Sequence, residues 1–310
     1  MEACVLDKNG VSAPLPVLLS WDISHSCHSC DAFEVTVPVT EGLGETLASA
    51  SEFICRHEGR TVFCGVVDEY ELRAGESGAT AMISGRGYGA RLMDNEAESA
   101  EYWNPGIRQI LENHVYPYGI KKLRSRDINC AGRFPVYSGS SQWRVLRDFC
   151  FFGGEVTPRF DREGTLILDG SVGDTVTLAH RAITRQVWRD RRYGVFSQVL
   201  VKNPALGVSS TAENSEFISR GGLCRRVVNV PRYTQYDAMR HTGEYQLRQS
   251  RQGNRVMFIT MPLLFAAFAG DRVVLEDSPL GLSGRFLVRE SRCAADGEHG
   301  ETRLELEKEE

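Results

Sequence analysis

The sequence predicts a mainly β protein of the α+β class, in which two similar β-barrel domains flank a small inserted α+β domain. Three observations predict this class. Residues 1–92 and 174–310 consist mostly of short runs of alternating apolar and polar residues, which are typical of strands. Helix signals concentrate in residues 93–173. The two strand-rich segments also share a similar hairpin sequence, which favours a duplicated domain.

The composition is that of a globular protein with more than one domain. The 310 residues are 42% hydrophobic and 25% charged. The formal net charge of -5 argues against binding nucleic acid through its phosphates, so we expect no specific nucleic-acid partner. The nine cysteines are odd in number and scattered, which indicates small, mostly buried side chains rather than a disulfide framework.

Targeting signals are not expected. The first ten residues, MEACVLDKNG, have neither the basic nor the apolar region of a signal peptide. The longest apolar run, MPLLFAAFAG at 261–270, is about half of the ~20 residues that a membrane span needs. We therefore expect no membrane anchor.

Residues 1–92 are predicted to form the first β domain. Gly, Ser and acidic turns separate its apolar or alternating runs, which are LPVLLSWDIS, AFEVTVPVT, SEFICRHEG, RTVFCGVVDEYELRAG and GATAMISGRG. No useful helical period occurs there, so a barrel or sandwich is the simplest interpretation.

Residues 93–173 contain two predicted helices and a hairpin. The first helix has Asn104 as its N-cap and Pro105 as its first residue, and its pattern stops before Pro117. The second runs from about Ser141 to Phe152. Its N-cap is Ser140 or Ser141, and its predicted core face and exit are formed by Trp143, Leu146, Phe149, Cys150 and Gly153. EVTPRFDREGTLILDG then predicts a hairpin that turns at 161–164.

Residues 174–310 are predicted to form the second β domain. One polar helix interrupts its strands at about 235–252. The apolar residues of this helix, Met239, Tyr245 and Leu247, form only a weak stripe, so we expect the helix to lie on a surface or at an interface.

An internal repeat links the two β segments. FCGVVDEYELRAGESGATAMIS at 63–84 and LSGRFLVRESRCAADGEHGETRLEL at 282–306 each place a glycine before an apolar pair, then a glutamate and alternating polar residues. Each continues through a Gly-rich acidic turn into a closing strand, which aligns Thr80 with Thr302. The repeat predicts that residues from about Ala13 to Gly87 and from about Asp174 to Glu307 superpose.

The glycine-rich stretch SGRGYGA is weighed first as a nucleotide site. Gly85, Gly87 and Ala90 would fit G-x-G-x-x-[GA] after a strand. A dinucleotide site also needs a helix and then a parallel strand that ends in an acidic residue, and only ARLMDNEAESAEY follows. The favoured interpretation is a strand end where glycine permits the backbone to cross closely.

The loop HSCHSC at 25–30 is weighed as a metal site. Cys27 and Cys30 form a C-x-x-C with His25 and His28 alongside, but no second pair of ligands follows at zinc-site spacing. Further ligands would have to come from a distant segment: Cys55, His57 and Cys64. A polar loop between two strands is favoured.

Catalytic patterns are not found. G-x-S-x-G, the P-loop and H-E-x-x-H do not occur in the sequence, and Cys150 has no nearby histidine. The carboxylates most open to another interpretation are expected to be solvated: Glu69, Glu71 and Glu96. The basic cluster WRDRRYG at 188–194 is expected to be a solvated turn or a protein interface. The sequence therefore predicts no enzyme and no catalytic, cofactor-binding or metal-binding residue.

The order of these features resembles the baseplate hub proteins of contractile-tailed phages and phage-like tail particles. The resemblance rests on FCGVVDEYEL followed by ISGRGYGARLMDNEAESAEY, on SQWRVLRDFCFFGGEVTPRFDREGTLIL, and on GDRVVLEDSPLGLSGRFLVRESR. It implies two tube-type barrels, with the glycine-rich strand end closing the first of them. It also implies a homotrimer whose six barrels form a six-fold-like ring.

The resemblance further implies the partners and the location. Such a ring joins the hexameric tail tube to the central spike and forms part of the conduit for DNA and tape measure. Its partners are the tail tube protein, the central spike protein, the baseplate wedge proteins and the tape measure protein. The chain would be made in the bacterial cytoplasm and located in the virion or particle. The alternatives are a carbohydrate- or cell-wall-binding β protein and a tail-associated cell-wall hydrolase.

Overall fold

The computed structural model describes residues 1–76, 78–230, 232, 234 and 236–309. It is mainly β, with 46% strand and 19% helix, as the sequence predicts. Its contacts divide the chain into two units. Unit 1 comprises 1–185 and 259–309, and unit 2 comprises 186–258.

The strands and helices that begin in unit 1 before residue 93 are β1 (Glu2–Asp7), β2 (Ser12–Pro14), β3 (Ser20–Ser26), β4 (Ala32–Pro38), α1 (Leu43–Ser49), β5 (Ala50–His57), β6 (Arg60–Gly75), β7 (Gly78–Gly87) and α2 (Ala90–Met93). Those that follow up to residue 182 are β8 (Glu96–Ala97), β9 (Ala100–Trp103), α3 (Ile107–His114), β10 (Leu123–Ser125), β11 (Arg133–Val136), β12 (Ser140–Ser141), α4 (Gln142–Gly154), β13 (Arg159–Phe160), β14 (Leu166–Leu168) and β15 (Thr175–Ala179). Two short 3₁₀ turns lie at Tyr116–Tyr118 and His180–Ala182.

The remaining elements begin with β16 (Arg185–Asp190), which starts at the last residue of the first stretch of unit 1. They continue through β17 (Gln198–Asn203), β18 (Val208–Glu213), α5 (Ser215–Ser219), β19 (Arg225–Asn229), α6 (Tyr236–Arg251), β20 (Arg255–Met261), β21 (Arg272–Glu276), β22 (Gly284–Ala295) and β23 (Gly300–Lys308).

A large sheet dominates unit 1. Its strands run in the order β23-β22-β3-β4-β7-β6-β5-β1-β2, with β21 paired to β22 and β15 paired to β21. Strands from both ends of the chain therefore belong to one sheet, which is joined where β22 pairs with β3. The separate-barrel arrangement stays a prediction, because no closed barrel is found among the described residues.

Aromatic rings form the centre of the core beneath the first half of this sheet. Phe33 and Phe53 stack with ring centroids 4.0 Å apart, and Phe63 packs at 5.2 Å from Phe33. All three rings are buried, together with apolar residues that alternate along the same strands. The period of two seen in the sequence thus corresponds to one buried face.

Buried apolar residues between Leu92 and Leu168 form one cluster. Helix α4 begins after Ser141, whose hydroxyl accepts a hydrogen bond from the Arg144 amide at 3.2 Å. Leu146, Phe149 and Cys150 of this helix are buried. The predicted hairpin is present as β13 and β14, whose turn is closed by the Gly164 amide bonding to the Asp161 carbonyl at 2.9 Å.

The start of α3 differs from the prediction. The helix begins at Ile107 with Gly106 as its N-cap, so Asn104 and Pro105 precede it. Asn104 adopts a left-handed φ of 48°, and its Oδ1 accepts a hydrogen bond from the Gly132 amide at 2.7 Å. The amide side chain therefore caps a neighbouring loop instead of the helix, an alternative that asparagine commonly adopts.

Unit 2 contains the sheet β18-β17-β19 and helix α6, which packs on that sheet. Met239 is completely buried against Val199 and Val201, and Leu247 is also buried. Gly243 lies one turn from each, and a Cβ there would be 3.1 Å from Ala212. Met239 is therefore a core residue of unit 2, because a glycine completes the packed stripe and lets the helix approach the strands closely. The opposite side of the helix is exposed, as at Arg240 and Glu244, and its position on a surface or at an interface stays a prediction.

Cys150 provides a stability test. Burial raises the pKa of its thiol to about 12, so the side chain remains a neutral, apolar group. Replacing Cys150 with Ala should lower the free energy of unfolding by about 1–2 kcal/mol, measured by urea denaturation. A peptidoglycan-hydrolysing activity that disappeared with this substitution would contradict the core assignment.

Candidate functional site

The two hairpins of the sequence repeat have the same strand register. In the pair β6–β7 the register shifts between Val67 and Glu69, and in β22–β23 it shifts between Val288 and Glu290. Both hairpins thus carry a bulge after the same valine and before the same glutamate. Between the bulge and the turn, equivalent pairs of the two hairpins enclose the same number of residues. Leu72 pairs with Ala81 in the first hairpin, and Cys293 pairs with Thr302 in the second. The sequence alignment of Thr80 with Thr302 was therefore wrong by one residue.

The bulged residue forms an ion pair across the hairpin in both copies, with the charges exchanged. In the first copy, Asp68 accepts a hydrogen bond from Nε of Arg86 at 2.7 Å. In the second copy, Arg289 donates a hydrogen bond from Nη1 to Glu307 at 2.9 Å. Arg86 also donates to Asp94 just after α2. These residues were not predicted, although opposite charges at equivalent positions of the two repeats were a signal in the sequence.

The strand beside each hairpin also has the same register. Phe53 of β5 pairs with Gly65, and Val273 of β21 pairs with Phe286, at equivalent positions of β6 and β22. The meander β5-β6-β7 is therefore matched by β21-β22-β23, with an additional residue in the turn of the second copy. This is the structural form of the internal repeat.

The two copies differ at one edge. Residues 290–295 of β22 pair with β3 on the same side as β21. The equivalent residues 69–74 of β6 have no strand on that side within the part of the chain that the structure describes. They are all exposed, with Tyr70 at 38% and Leu72 at 49%. An exposed edge of this length presents free backbone donors and acceptors to another strand.

The glycine-rich strand end permits close packing of the hairpin. A Cβ on Gly85 would lie 2.7 Å from the Phe33 ring and closer still to the Val66 carbonyl oxygen. A Cβ on Gly65 would lie 2.8 Å from the Phe63 ring and closer still to the Arg86 carbonyl oxygen. The two glycines thus let β6 and β7 cross tightly over the aromatic core, as the favoured interpretation of SGRGYGA requires.

The HSCHSC stretch contains the last two residues of β3, His25 and Ser26, and the loop residues that lead to β4. Cys27 donates to the Val288 carbonyl and Cys30 to the Gly87 carbonyl, each at 3.6 Å. Burial raises the pKa of these thiols to about 11 and about 12. The neutral thiols thus act as hydrogen-bond donors to backbone carbonyls. No group of three or more candidate metal ligands is found among the described residues.

The histidines of this loop have different surroundings. His25 is buried, with Nε2 2.9 Å from the Val62 carbonyl oxygen and Nδ1 3.4 Å from Asp31. The side chain of His28 is exposed. Desolvation by neighbouring protein atoms, together with the nearby Arg289 charge, lowers its pKa to about 4. The more distant candidate ligands lie on the neighbouring strands β5 and β6: Cys55, His57 and Cys64. His57 packs on the ring of Phe265.

The remaining candidate residues lie apart from one another. Glu69 and Glu71 lie on the exposed edge of β6, and Glu96 is exposed on β8. In the basic cluster, Asp190 accepts from Arg220 at 2.6 Å. Tyr193 of the same cluster is 89% exposed.

A groove of about 480 Å³ lies in unit 1 where β3, β22 and β23 meet. Trp21 forms part of its wall, and the carboxylates along it are Asp22, Glu34, Asp296 and Glu301. Arg292 pairs with Asp22, and Arg303 donates to Glu301 at 2.6 Å from Nε.

Comparison with known proteins shows what this fold resembles. No protein-family model matches the chain. No curated protein matches it. Among solved structures, a tail protein from Neisseria meningitidis MC58 matches with a TM-score of 0.77 and 17% identity over 99% of this chain and 96% of its own. The 43 kDa tail protein of prophage MuSo2 from Shewanella oneidensis matches with a TM-score of 0.78 and 16% identity, over 99% and 98% of the two chains.

A third match extends the comparison beyond phages. An E. coli component of the type VI secretion system, described as structurally similar to T4 bacteriophage tail proteins gp27 and gp5, matches with a TM-score of 0.58. Its identity is 12%, over 100% of this chain and 77% of its own. The chain therefore has the fold of phage tail and baseplate-like proteins, and the resemblance drawn from the sequence is confirmed at the level of the fold. No helix in the described residues has the length and apolar character to cross a membrane.

Proposed function

We propose that this protein is the structural hub of a contractile phage tail or phage-like particle. Three copies form a ring that joins the hexameric tail tube to the central spike and surrounds part of the conduit for DNA and tape measure. The observation that carries the proposal is the register-matched repeat of three strands within one chain. Two copies of one module in each of three chains give six similar positions, which suit a six-fold tube above and a three-fold spike below.

The proposed domain division follows from the same repeat. Residues 1–92 and 174–310 are the two tube-type β-barrel domains, and 93–173 form the inserted α+β domain. The partners are the tail tube, central spike, baseplate wedge and tape measure proteins, and the location is the virion or particle. The fold likeness to tail proteins over nearly the whole chain supports a structural, non-enzymatic role. The net charge of -5 suits a conduit that DNA passes without binding.

The groove beside Trp21 favours a second candidate, a carbohydrate- or cell-wall-binding tail protein. An aromatic ring flanked by carboxylates supplies the apolar wall and polar contacts that a small-molecule groove commonly combines. Two of its carboxylates are paired with arginines, so the groove supports binding better than hydrolysis.

The mass of the purified protein in solution distinguishes the two candidates. We expect sedimentation velocity to show a species of three chains, each of 34.6 kDa, and electron microscopy to show three-fold rings. A monomer at every concentration tested would contradict the hub. A monomer that also bound cell-wall oligosaccharides would establish the second candidate.

A further inference from the structure

We propose that strand β16 of one copy pairs antiparallel with the exposed edge of β6, residues 69–74, in the next copy. The inference rests on the proposed ring and names the contact that closes it. Such a head-to-tail contact joins two different surfaces, so repeated copies form a closed ring when the rotation permits. The occupant of the edge is thereby a second copy of this chain.

The repeat identifies the missing strand. Within the chain, the edge of β22 equivalent to 69–74 of β6 is occupied by β3. If β6 is occupied in the same way, its partner must be the strand that corresponds to β3 in the second repeat. That strand is β16, because it stands beside β20 in the sheet order as β3 stands beside β4.

A backbone hydrogen bond that occurs once in each repeat shows how β16 aligns with β3. The Leu19 amide donates to the Thr36 carbonyl at 2.8 Å as the chain enters β3. The Thr184 amide donates to the Thr260 carbonyl at 2.9 Å as the chain enters β16. The buried residues around these acceptors also match, because Val35 and Val37 flank Thr36 as Ile259 and Met261 flank Thr260. These matches place Leu19 and Thr184 at equivalent positions.

The register of β22 on β3 then predicts the register between copies. Arg292 pairs with Ser24 and Cys293 with Ile23 within the chain. The equivalent pairs between copies are Glu71 with Arg189 and Leu72 with Trp188. Toward the bulge, the same register pairs Glu69 with Arg191. Two glutamates thus face two arginines, and an exposed leucine faces a tryptophan.

Charge and exposure support this register independently of the repeat. Glu69 and Glu71 are exposed on β6, and Arg189 and Arg191 are exposed on or just after β16. Cross-strand pairs of opposite charge stabilise a sheet, whereas like charges directly opposite destabilise it. A register shifted by one residue would place these side chains on opposite faces, so the charge pattern is specific to the proposed pairing.

The sheet order also leaves β16 available. It is the last strand at its end of the order, so among the described residues only β20 pairs with it. Arg189 lies over the Phe258 ring at 4.6 Å, a contact that orders the guanidinium without neutralising its charge.

Charge exchange tests the pairing. We expect Glu71→Arg and Arg189→Glu each to weaken assembly by at least tenfold in sedimentation velocity, and the double exchange to restore it. Glu76→Arg, at the exposed tip of the same hairpin and outside the paired residues, is the matched control and should assemble as the wild type does. Circular dichroism should show that every variant is folded, because the substituted side chains are exposed.

The outcomes separate this pairing from the proposed function. If the wild type forms a trimer and neither single exchange weakens it, the pairing is wrong and the hub stands. If the wild type is a monomer, both the strand pairing and the proposed hub function are contradicted. A folded double variant that stays dissociated overturns the register.

A covalent test does not depend on restoring affinity. Separately purified Glu71→Cys and Arg189→Cys proteins, mixed and oxidised, should give a reducible dimer that neither protein gives alone. The wild type, with its nine native cysteines, is the control for unrelated disulfides. Failure to form this dimer in a mixture that does assemble would overturn the proposed pair.

Discussion

Replacing Gly85 with alanine should lower the free energy of unfolding of unit 1 by about 3 kcal/mol or more, or prevent its folding. The added Cβ would lie 2.7 Å from the Phe33 ring and closer still to the Val66 carbonyl oxygen. The ring is buried and stacked on Phe53, and the carbonyl belongs to the paired strand β6. Neither can move without disturbing the sheet or the core. Urea denaturation followed by circular dichroism measures the effect.

The matched control lies in the same hairpin. Gly75 has no heavy atom within 4 Å of an added Cβ, so Gly75→Ala should change the free energy of unfolding by less than about 1 kcal/mol. Equal effects of the two substitutions would show that Gly85 is chosen for chain flexibility rather than for close approach. The comparison would therefore decide between the two physical reasons for a glycine in a strand.

The hairpins show what local sequence can determine. Alternation and turn residues predicted both hairpins and their similarity, because each pattern spans fewer than about thirty residues and one buried face fixes it. The alignment of Thr80 with Thr302 was wrong by one residue, and such a shift moves a side chain to the other face of the sheet. Thr80 is only partly buried, whereas Thr302 and its true counterpart Ala81 are buried. The bulge does not cause the error, because it lies at the same position in both hairpins.

The helices show the same limit. Helix α4 was predicted well at its start and along its apolar face, because its cap and its buried residues agree with one another. Its end differs from the prediction, since Gly153 lies within the helix and Glu155 is the left-handed C-cap residue. At α3 the Asn104-Pro105 signal was outweighed by the demand of a neighbouring loop, since Asn104 caps Gly132. Local signals compete with tertiary contacts, and the sequence does not state which contact exists.

The exposed edge of β6 could not be predicted from the sequence alone. Its exposure depends on where β5 ends and on which hairpin β3 joins, and β3 joins β22 from the opposite end of the chain. A prediction based on patterns near each strand contains neither fact. From the sequence, Glu71 was expected to be solvated, and Arg189 belonged to a basic cluster expected to be a solvated turn or a protein interface.

Replacing Met239 with aspartate should destabilise unit 2 by about 3 kcal/mol or more, because a carboxylate would be buried with no partner charge. Met239 is 0% exposed and packs with Val199, Val201 and Leu247. The helix would lose its attachment to the sheet, so amides of α6 and β17 should lose protection in hydrogen exchange. Ala238→Asp is the control, because its side chain is exposed near the helix N-terminus, where a negative charge is tolerated.

The comparison decides whether α6 is a core helix or an interface helix. A core helix predicts that Met239→Asp unfolds unit 2 at any protein concentration, while Ala238→Asp does not. If α6 is instead an interface helix, the Met239→Asp chain should stay folded as a monomer and lose only its ability to assemble. The burial of Met239 and the close approach of Gly243 to Ala212 favour the first outcome. A folded, dissociated Met239→Asp protein would therefore show that the helix packs against another copy, and that the contact of β6 with β16 is not the whole interface.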